Sequence, residues 1–477
     1  MSSKLARMSF QERLDQFVGT IRTEIVGGMR KPGTYLPSES ALSKQFQLSN
    51  KSVRRGLDQL VAEGLIIKID RVGSMVTEAS NQMITLHFGY NTTLTEDFLL
   101  NELLAEFQRL HPYIYVRLIP LQNFEHVQTA REMISGGLLD VISFNSAQFQ
   151  DMVESGIVPL LEPLKEDEGL YPIAAEAFQY DGQLYARPIS FSPVVLCYNK
   201  EHFAEAGVPE PDSYWTWDDL IAAAARISEV RGKHSIYFVP ASGNRYPVFL
   251  LQGGMETVMD ENGRSRISDK LAESLRFYSE LVNNHEIFPK YFAGRDDDET
   301  IQLFAQERVS IIMTTYFNMN AFKHSPLSYD ICPIPGIRRG DPQKSLLITI
   351  GAAVIHNSRE KEAARTFVDF LASEDAQRII REKTVSIPAR GPSAQLPSDV
   401  ELNRPSRNLM YRELLPSFKY HKELGLTIRS LNSFSKSLKA YWSGMIDEAM
   451  LQEKLEHLLT GKTDVSVRSD RGAHIIN

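Results

Sequence analysis

Apolar residues recur at Phe10, Leu14, Phe17, Ile21 and Ile25, in steps of four, three, four and four. That spacing predicts an amphipathic helix with one buried face, and Gly27-Gly28 stops it. Lys31-Pro32-Gly33 reads as a turn and Pro37-Ser38-Glu39 as a helix start. There the Ser38 hydroxyl can cap free amides and Glu39 complements the positive helix end. Leu42 and Phe46 give this short helix its inner face. Ser49 can cap a third helix that runs to Glu63, with Gly64 as its stop. Val53, Leu57 and Leu60 form its inner stripe, which turns Lys51, Arg54, Arg55 and Asp58 outward. LIIKID then predicts a strand, Arg71-Val72-Gly73 a turn and Ser74-Met75-Val76 a returning strand.

Three helices followed by a two-stranded ribbon is the layout of a winged helix-turn-helix, whose third helix is the candidate for insertion into a DNA major groove. Its N-terminal end carries Asn50, Lys51, Ser52 and Arg54, side chains that suit base edges and phosphates. A solvated helix face would carry the same charges. The wording of the segment adds to the argument: G-x-Y-L-P-S-E, L-S-K-Q-F-x-L-S and S-V-R-R-G-L-x-x-L-x-x-E-G-L-I. Over about residues 10–77 it resembles the GntR family of bacterial transcription regulators. The resemblance implies operator binding by the recognition helix and wing of a homodimer. The implied DNA-binding set is Ser38, Glu39, Ser49, Asn50, Lys51, Ser52, Arg54, Arg55, Arg71 and Gly73. Ser40 and Asn50 stand where that family commonly has Arg, so typical operator preferences do not carry over.

Residues 77–83, TEASNQM, read as a short polar linker, with the winged helix assigned to 1–76 and an effector domain to 84–477. From Ile84 the pattern alternates: strand ITLHFG, a helix from Thr95 to Leu110 with Leu99, Leu103, Phe107 and Leu110 on one face, then strand YVRLIP. A helix over 124–135 and the strand Asp140–Phe144 follow. Such alternation predicts an α/β domain with a mostly parallel sheet and helices on both faces.

Further along come YDGQLYARPISFSPVVLCYNKEHF, TWDDLIAAAARI, LLQGGMETVMDENG, FAQERVSIIMTTYFNM, YDICPIPG and TIGAAVIHNSREKEAARTFVDFLAS. In that order they resemble the solute-binding proteins of ABC importers, in the carbohydrate-binding group that includes maltose-binding protein. The resemblance spans roughly residues 84–460 and implies a periplasmic-binding-protein-like fold of two lobes with a ligand cleft between them. The chain would cross between lobes near Pro188–Pro193 and Cys332–Pro335. Lobe 1 would then comprise about 84–190 and 333–385, and lobe 2 about 191–332 and 386–477. Residues 406–460 read as helices packing on lobe 2, with Tyr441 and Trp442 in the core.

Sugar sites need flat aromatic faces for the apolar side of a pyranose and polar groups for its hydroxyls, on loops leaving strand C-termini. Five places fit: Tyr90-Asn91, Phe144-Asn145, Phe191-Ser192, Asn244-Arg245-Tyr246 and Tyr316-Phe317-Asn318. All five match places where sugar-binding relatives present ligand contacts, and Tyr246 and Tyr316 are the expected stacking platforms. Core packing is the competing reading for any single aromatic. Trp215 and Trp217 precede a helix and read as packing residues.

The chain is 43% hydrophobic and 23% charged, ordinary globular composition. Its net charge of −8 is uneven: residues 1–80 carry 12 Lys/Arg against 8 Asp/Glu, a net of +4, and the remainder carries −12. A small basic module on an acidic body matches the division above. Cys197 and Cys332 lie in apolar contexts and read as buried hydrophobes, with no disulfide framework. No catalytic, phosphate-cradling or metal-spacing motif is present, so no enzyme, cofactor or metal is implied. Asp296–Glu299 reads as a solvated helix start. No signal-peptide core or membrane span is evident, and a cytoplasmic protein is expected. Two functions then compete: a sugar-controlled transcription regulator with operator DNA and a small carbohydrate as partners, or a solute-binding receptor of an ABC sugar importer.

Overall fold

A computed structural model describes residues 10–26, 28–70, 72–77, 83–92, 97–121, 126–259, 265–290, 297–395 and 400–460. The front module consists of α1 (Phe10–Val26), α2 (Glu39–Phe46), α3 (Asn50–Ala62), β1 (Ile66–Ile69) and β2 (Gly73–Val76). The two strands pair antiparallel from Ile66↔Val76 to Ile69↔Gly73. Both predicted caps form: Ser38 Oγ accepts from the Ala41 N–H and Ser49 Oγ from the Ser52 N–H, each at 3.2 Å. Leu14, Phe17, Ile21, Leu42, Phe46, Val53, Leu57 and Leu60 close into one buried cluster. α1 and α3 approach closely at Gly56, where a Cβ would lie 2.6 Å from the Phe17 ring. Arg22 holds the same pair of helices, its Nε donating to Glu63 at 2.8 Å.

The effector module has a second, separate hydrophobic cluster, which is the physical basis for two folding units. The strands that build its main sheet include β3 (Ile84–Asn91), β4 (Ile114–Leu121), β5 (Val141–Asn145), β6 (Arg187–Asn199), β7 (Ile236–Tyr237), β8 (Ile311–Thr315), β9 (Tyr329–Cys332) and β10 (Ser345–Val354). The main path of the sheet is β4-β3-β5-β10-β6-β8-β7. β3 runs parallel to β4 and β5, and β8 parallel to β7. The middle is antiparallel, because β6 and β10 run against each other and against their outer neighbours. The expected mostly parallel sheet is therefore confined to the flanks, where helical crossovers return the chain in the same direction.

β6 joins the lobes. Arg187–Pro193 pairs with β10, and Val194–Asn199 pairs with β8 and β9. All of its residues are buried, as expected for a strand covered on both faces. Cys197 and Cys332 lie on β6 and β9 as free, buried thiols. β10 shifts register between Ile350 and Gly351.

Around the sheet stand α4 (Leu100–Leu110), α5 (His126–Ser135), α6 (Ser146–Glu154), α7 (Trp217–Arg231), α8 (Tyr246–Gly253), α9 (Asp297–Ala305) and α10 (Ile428–Trp442). The helix expected from Thr95 begins at Leu100 instead, after Leu99 adopts a left-handed φ of 53°. Leu100 then turns inward beside Leu103 and Phe107, while Leu110 is 39% exposed. Thr95 itself, residues 124 and 125, linker residues 78–82 and Asp296 lie outside the described residues. Trp217 is buried and stacks on Phe249, a packing role as expected.

The C-terminal helices do more than pack on one lobe. From α8, Tyr246 donates its hydroxyl to Leu431 O at 2.8 Å. From α6, Gln150 donates to Leu426 O at 3.0 Å, and Glu154 accepts from the Ile428 N–H at 2.8 Å. The segment leading into α10 thus spans the space between lobes. The two modules also touch: Thr23 Oγ1 of α1 and the Tyr115 hydroxyl of β4 lie 3.2 Å apart. Beside this contact α1 and α3 face α4 and β4 across a cavity of about 1070 Å³. Among the described residues no helix is long and apolar enough to cross a membrane.

Candidate functional site

On the front module, Asn50, Lys51, Arg54, Arg55 and Asp58 are all exposed on α3, the outer face its inner stripe requires. Arg54 Nε lies 2.7 Å from Glu39 Oε2, which links the start of α2 to the outer face of α3. Asp58 pairs with Lys68 of β1 at 2.5 Å and ties the wing to the same helix. Ser52 departs from expectation. It is 7% exposed and its Oγ lies 2.7 Å from Ser49 Oγ, so it faces the cap and not a base. Ser38 and Ser49 use their hydroxyls as helix caps. Gly73 is exposed at the wing turn, and Arg71 lies outside the described residues.

In the effector module the five predicted loop positions separate into two groups. Tyr90, Asn91, Asn145, Asn244 and Asn318 are partly exposed. Asn145 also caps α6 in a reciprocal pair with Gln148. Phe144, Phe191, Ser192, Arg245, Tyr246, Tyr316 and Phe317 are buried. Phe144 packs on Phe149 and Phe178. Phe191 meets Tyr171 and Tyr411 edge-on, and Phe317 meets Phe98. The Ser192 hydroxyl accepts from the Tyr316 N–H at 2.8 Å, which joins β6 to the end of β8.

The two expected stacking platforms are corrected by this burial. Tyr246 is 1% exposed, packs beside Phe434 and is fixed through its hydroxyl, and burial pushes that phenol's pKa up. Tyr316 is equally buried, with Tyr411 edge-on to its ring. A ring without an accessible face has no surface to offer a pyranose. Arg245, fully buried, is held by Met313 O at 2.9 Å and by Asp297 at the start of α9. It is a structural cation that anchors the acidic helix start to β8.

Sequence reasoning missed the polar groove that runs between lobes. α10 contributes Arg429, Asn432 and Lys436, spaced along one exposed face; α5 contributes Gln128, α6 Asp151, and the residue that caps the end of α6 is Ser155. The groove encloses about 360 Å³, within the roughly 300–1,000 Å³ range of small-molecule sites. Burial raises the Asp151 pKa, against the opposing pull of Ser155 and Arg429. The polar periodicity of α10 was visible in sequence, but a solvated helix face has the same spacing. Deeper in, His421 donates from Nε2 to Gly243 O at 2.8 Å, and the Tyr420 hydroxyl contacts Thr349 and donates to Ile173 O. Residues 418–428 are thus pinned to both halves of the sheet.

Comparison with known proteins agrees with this division. Residues 15–76 match the family of bacterial regulatory proteins, gntR family, and residues 91–378 match the family of bacterial extracellular solute-binding proteins. An arabinooligosaccharide-binding protein of Bacillus subtilis is 23% identical over 255 residues, 51% of this chain and 58% of its own length. A Brucella abortus protein described only as a binding protein is 28% identical over 240 residues, 47% of this chain and 56% of its own. The chain thus spans about half the length of the curated relatives it matches. Among solved structures, maltose-bound MalE3 of T. maritima superposes with a TM-score of 0.68 at 18% identity, covering 79% of this chain and 99% of that one. A substrate-binding protein of Listeria monocytogenes in complex with cycloalternan gives 0.67 at 21%, covering 80% and 99%. At such identities the structures report the two-lobed fold.

Proposed function

Because the chain belongs to the family of bacterial extracellular solute-binding proteins and carries a gntR-family DNA-binding domain, we propose that it is a transcription regulator whose operator affinity is set by a small carbohydrate held between the lobes. The observation that carries this reading is the pairing of two separately cored modules on one chain, with an exposed basic helix face on the first. A transport receptor has no use for such a face. Relatives whose names give oligosaccharides as ligands supply the ligand class.

The mechanism follows from lobe geometry. A ligand bridging α5, α6 and α10 would hold the lobes together across the groove, beside the contacts of Gln150 and Glu154 with the start of α10. The front module rests on β4 and α4 of the first lobe, so lobe movement changes its placement. One recognition helix makes few base contacts, so two copies on an inverted repeat provide specificity. Selecting an operator from random DNA and repeating the gel shift with a carbohydrate panel tests the reading. A protected inverted repeat whose occupancy changes with a sugar supports it. Operator binding indifferent to every carbohydrate that the effector module binds would count against it.

A further inference from the structure

The inter-lobe groove has an electrostatic character that a neutral sugar does not need. α10 starts at the Thr427 cap with Arg429 in its first turn and no acidic residue there. A cation at the positive end of a helix is unfavourable unless an anion accompanies it. Glu154 supplies one carboxylate, but spends it on the Ile428 N–H. Lys436, two turns further and about 10 Å along the axis, faces the same groove. It makes no ion pair among the described residues, and Asp151 is the only carboxylate among the groove's described lining residues. Among the described residues no aromatic side chain lines the groove, so the described walls offer polar and charged groups in place of a stacking surface.

We infer that the effector is an anionic carbohydrate, a sugar bearing a phosphate or carboxylate group, with its anion between Arg429 and Lys436 and its hydroxyls on Asn432, Gln128 and Ser155. This rests on the proposal that a carbohydrate occupies the cleft, and specifies its chemistry. Charge-assisted hydrogen bonds from two cations are the strongest polar contacts the groove can make. Burial raises the Asp151 pKa, so the one carboxylate among the described lining residues is the less favoured in its charged form.

The test is calorimetric titration of the full chain with glucose 6-phosphate, glucuronate and digalacturonate, alongside glucose, galactose and maltose. Sugar phosphates and uronates separate the two sources of the anion. The expected result is binding of at least one anionic sugar at least tenfold tighter than its neutral parent. Lys436→Gln, an exposed position, should abolish that tenfold preference without changing the circular dichroism or melting of the unliganded protein. Arg429→Gln should act in the same direction. Neutral sugars binding as tightly as anionic ones, or a preference unaffected by Lys436→Gln, would overturn the anionic assignment and leave the carbohydrate reading standing. Binding of no carbohydrate in the panel, charged or neutral, would overturn both.

Discussion

Arg54 is 65% exposed as a side chain, and its pairing with Glu39 is a surface ion pair of small energetic weight. DNA can therefore exchange one partner for another at little cost. Arg54→Ala should weaken operator binding by about 1–3 kcal/mol if the guanidinium reads a base edge. Lys51→Ala should weaken binding to all sequences alike if the ammonium meets phosphate. Gel shifts at fixed salt separate the two, and unchanged binding in both variants would remove α3 as the reader. Tyr246 illustrates the opposite case, an aromatic whose position suggested a ligand contact and whose surroundings make it structural. Tyr246→Phe should cost about 1–2 kcal/mol by leaving Leu431 O without its buried donor, while ligand affinity stays within twofold. Loss of ligand binding at unchanged stability would return Tyr246 to the site.

Buried histidines give the fold an acid sensitivity at the same scale. Burial lowers the His202 pKa from 6.5 to about 4, and also lowers that of His421 where it meets Gly243 O. Burial disfavours the charged form of both imidazoles in the folded chain, so the unfolded chain takes up protons more readily. Stability is thus complete above about pH 6.5 and falls as pH drops through the window toward 4, by up to about 3 kcal/mol from His202. Denaturant titrations from pH 7 to pH 4.5 should show that decline, and a His202→Asn variant that still folds should show a shallower one.

Among the elements, the front module was readable almost residue by residue. Its helices carry local signals: Ser38 and Ser49 caps, a four-three-four apolar rhythm and glycine stops, all satisfied within about 70 residues of chain. The effector domain's strands were also legible one by one, but their directions were not. Whether β6 and β10 run parallel or antiparallel to their neighbours depends on partners about 150 positions away, and no local period records that. The same holds for the ligand positions. Strand ends were located correctly, yet burial by residues 411–442 decides which side chains keep a free face, and that packing is long-range. The β6–β10 crossing itself predicts a sensitive point. At Gly351 a Cβ would meet the Phe178 ring at 2.5 Å and Arg187 O at 2.8 Å. Backbone on one side prevents relief by a rotamer change, so Gly351→Ala should destabilise the effector domain by about 1–3 kcal/mol or more. A denaturation midpoint unchanged from the parent would show that the crossing is looser than described.

At the scale of the whole molecule, Thr23 of the front module and Tyr115 of the effector module meet side chain to side chain beside a large cavity lined by both modules. The cavity between the modules leaves room for them to shift against each other. If lobe closure and operator binding are coupled, the coupling is reciprocal: the factor by which the sugar changes operator affinity is the factor by which operator changes sugar affinity. Typical couplings are about 1–3 kcal/mol, or roughly 5–150-fold. The most direct measurement titrates the carbohydrate into the full chain, free and saturated with its selected operator. A shift in Kd of at least fivefold, equal to the shift in operator Kd with and without sugar, is the predicted result. Identical sugar affinities in the two titrations would mean that the effector module does not control the DNA-binding module, and the sugar-gated regulator would be the wrong description of this chain.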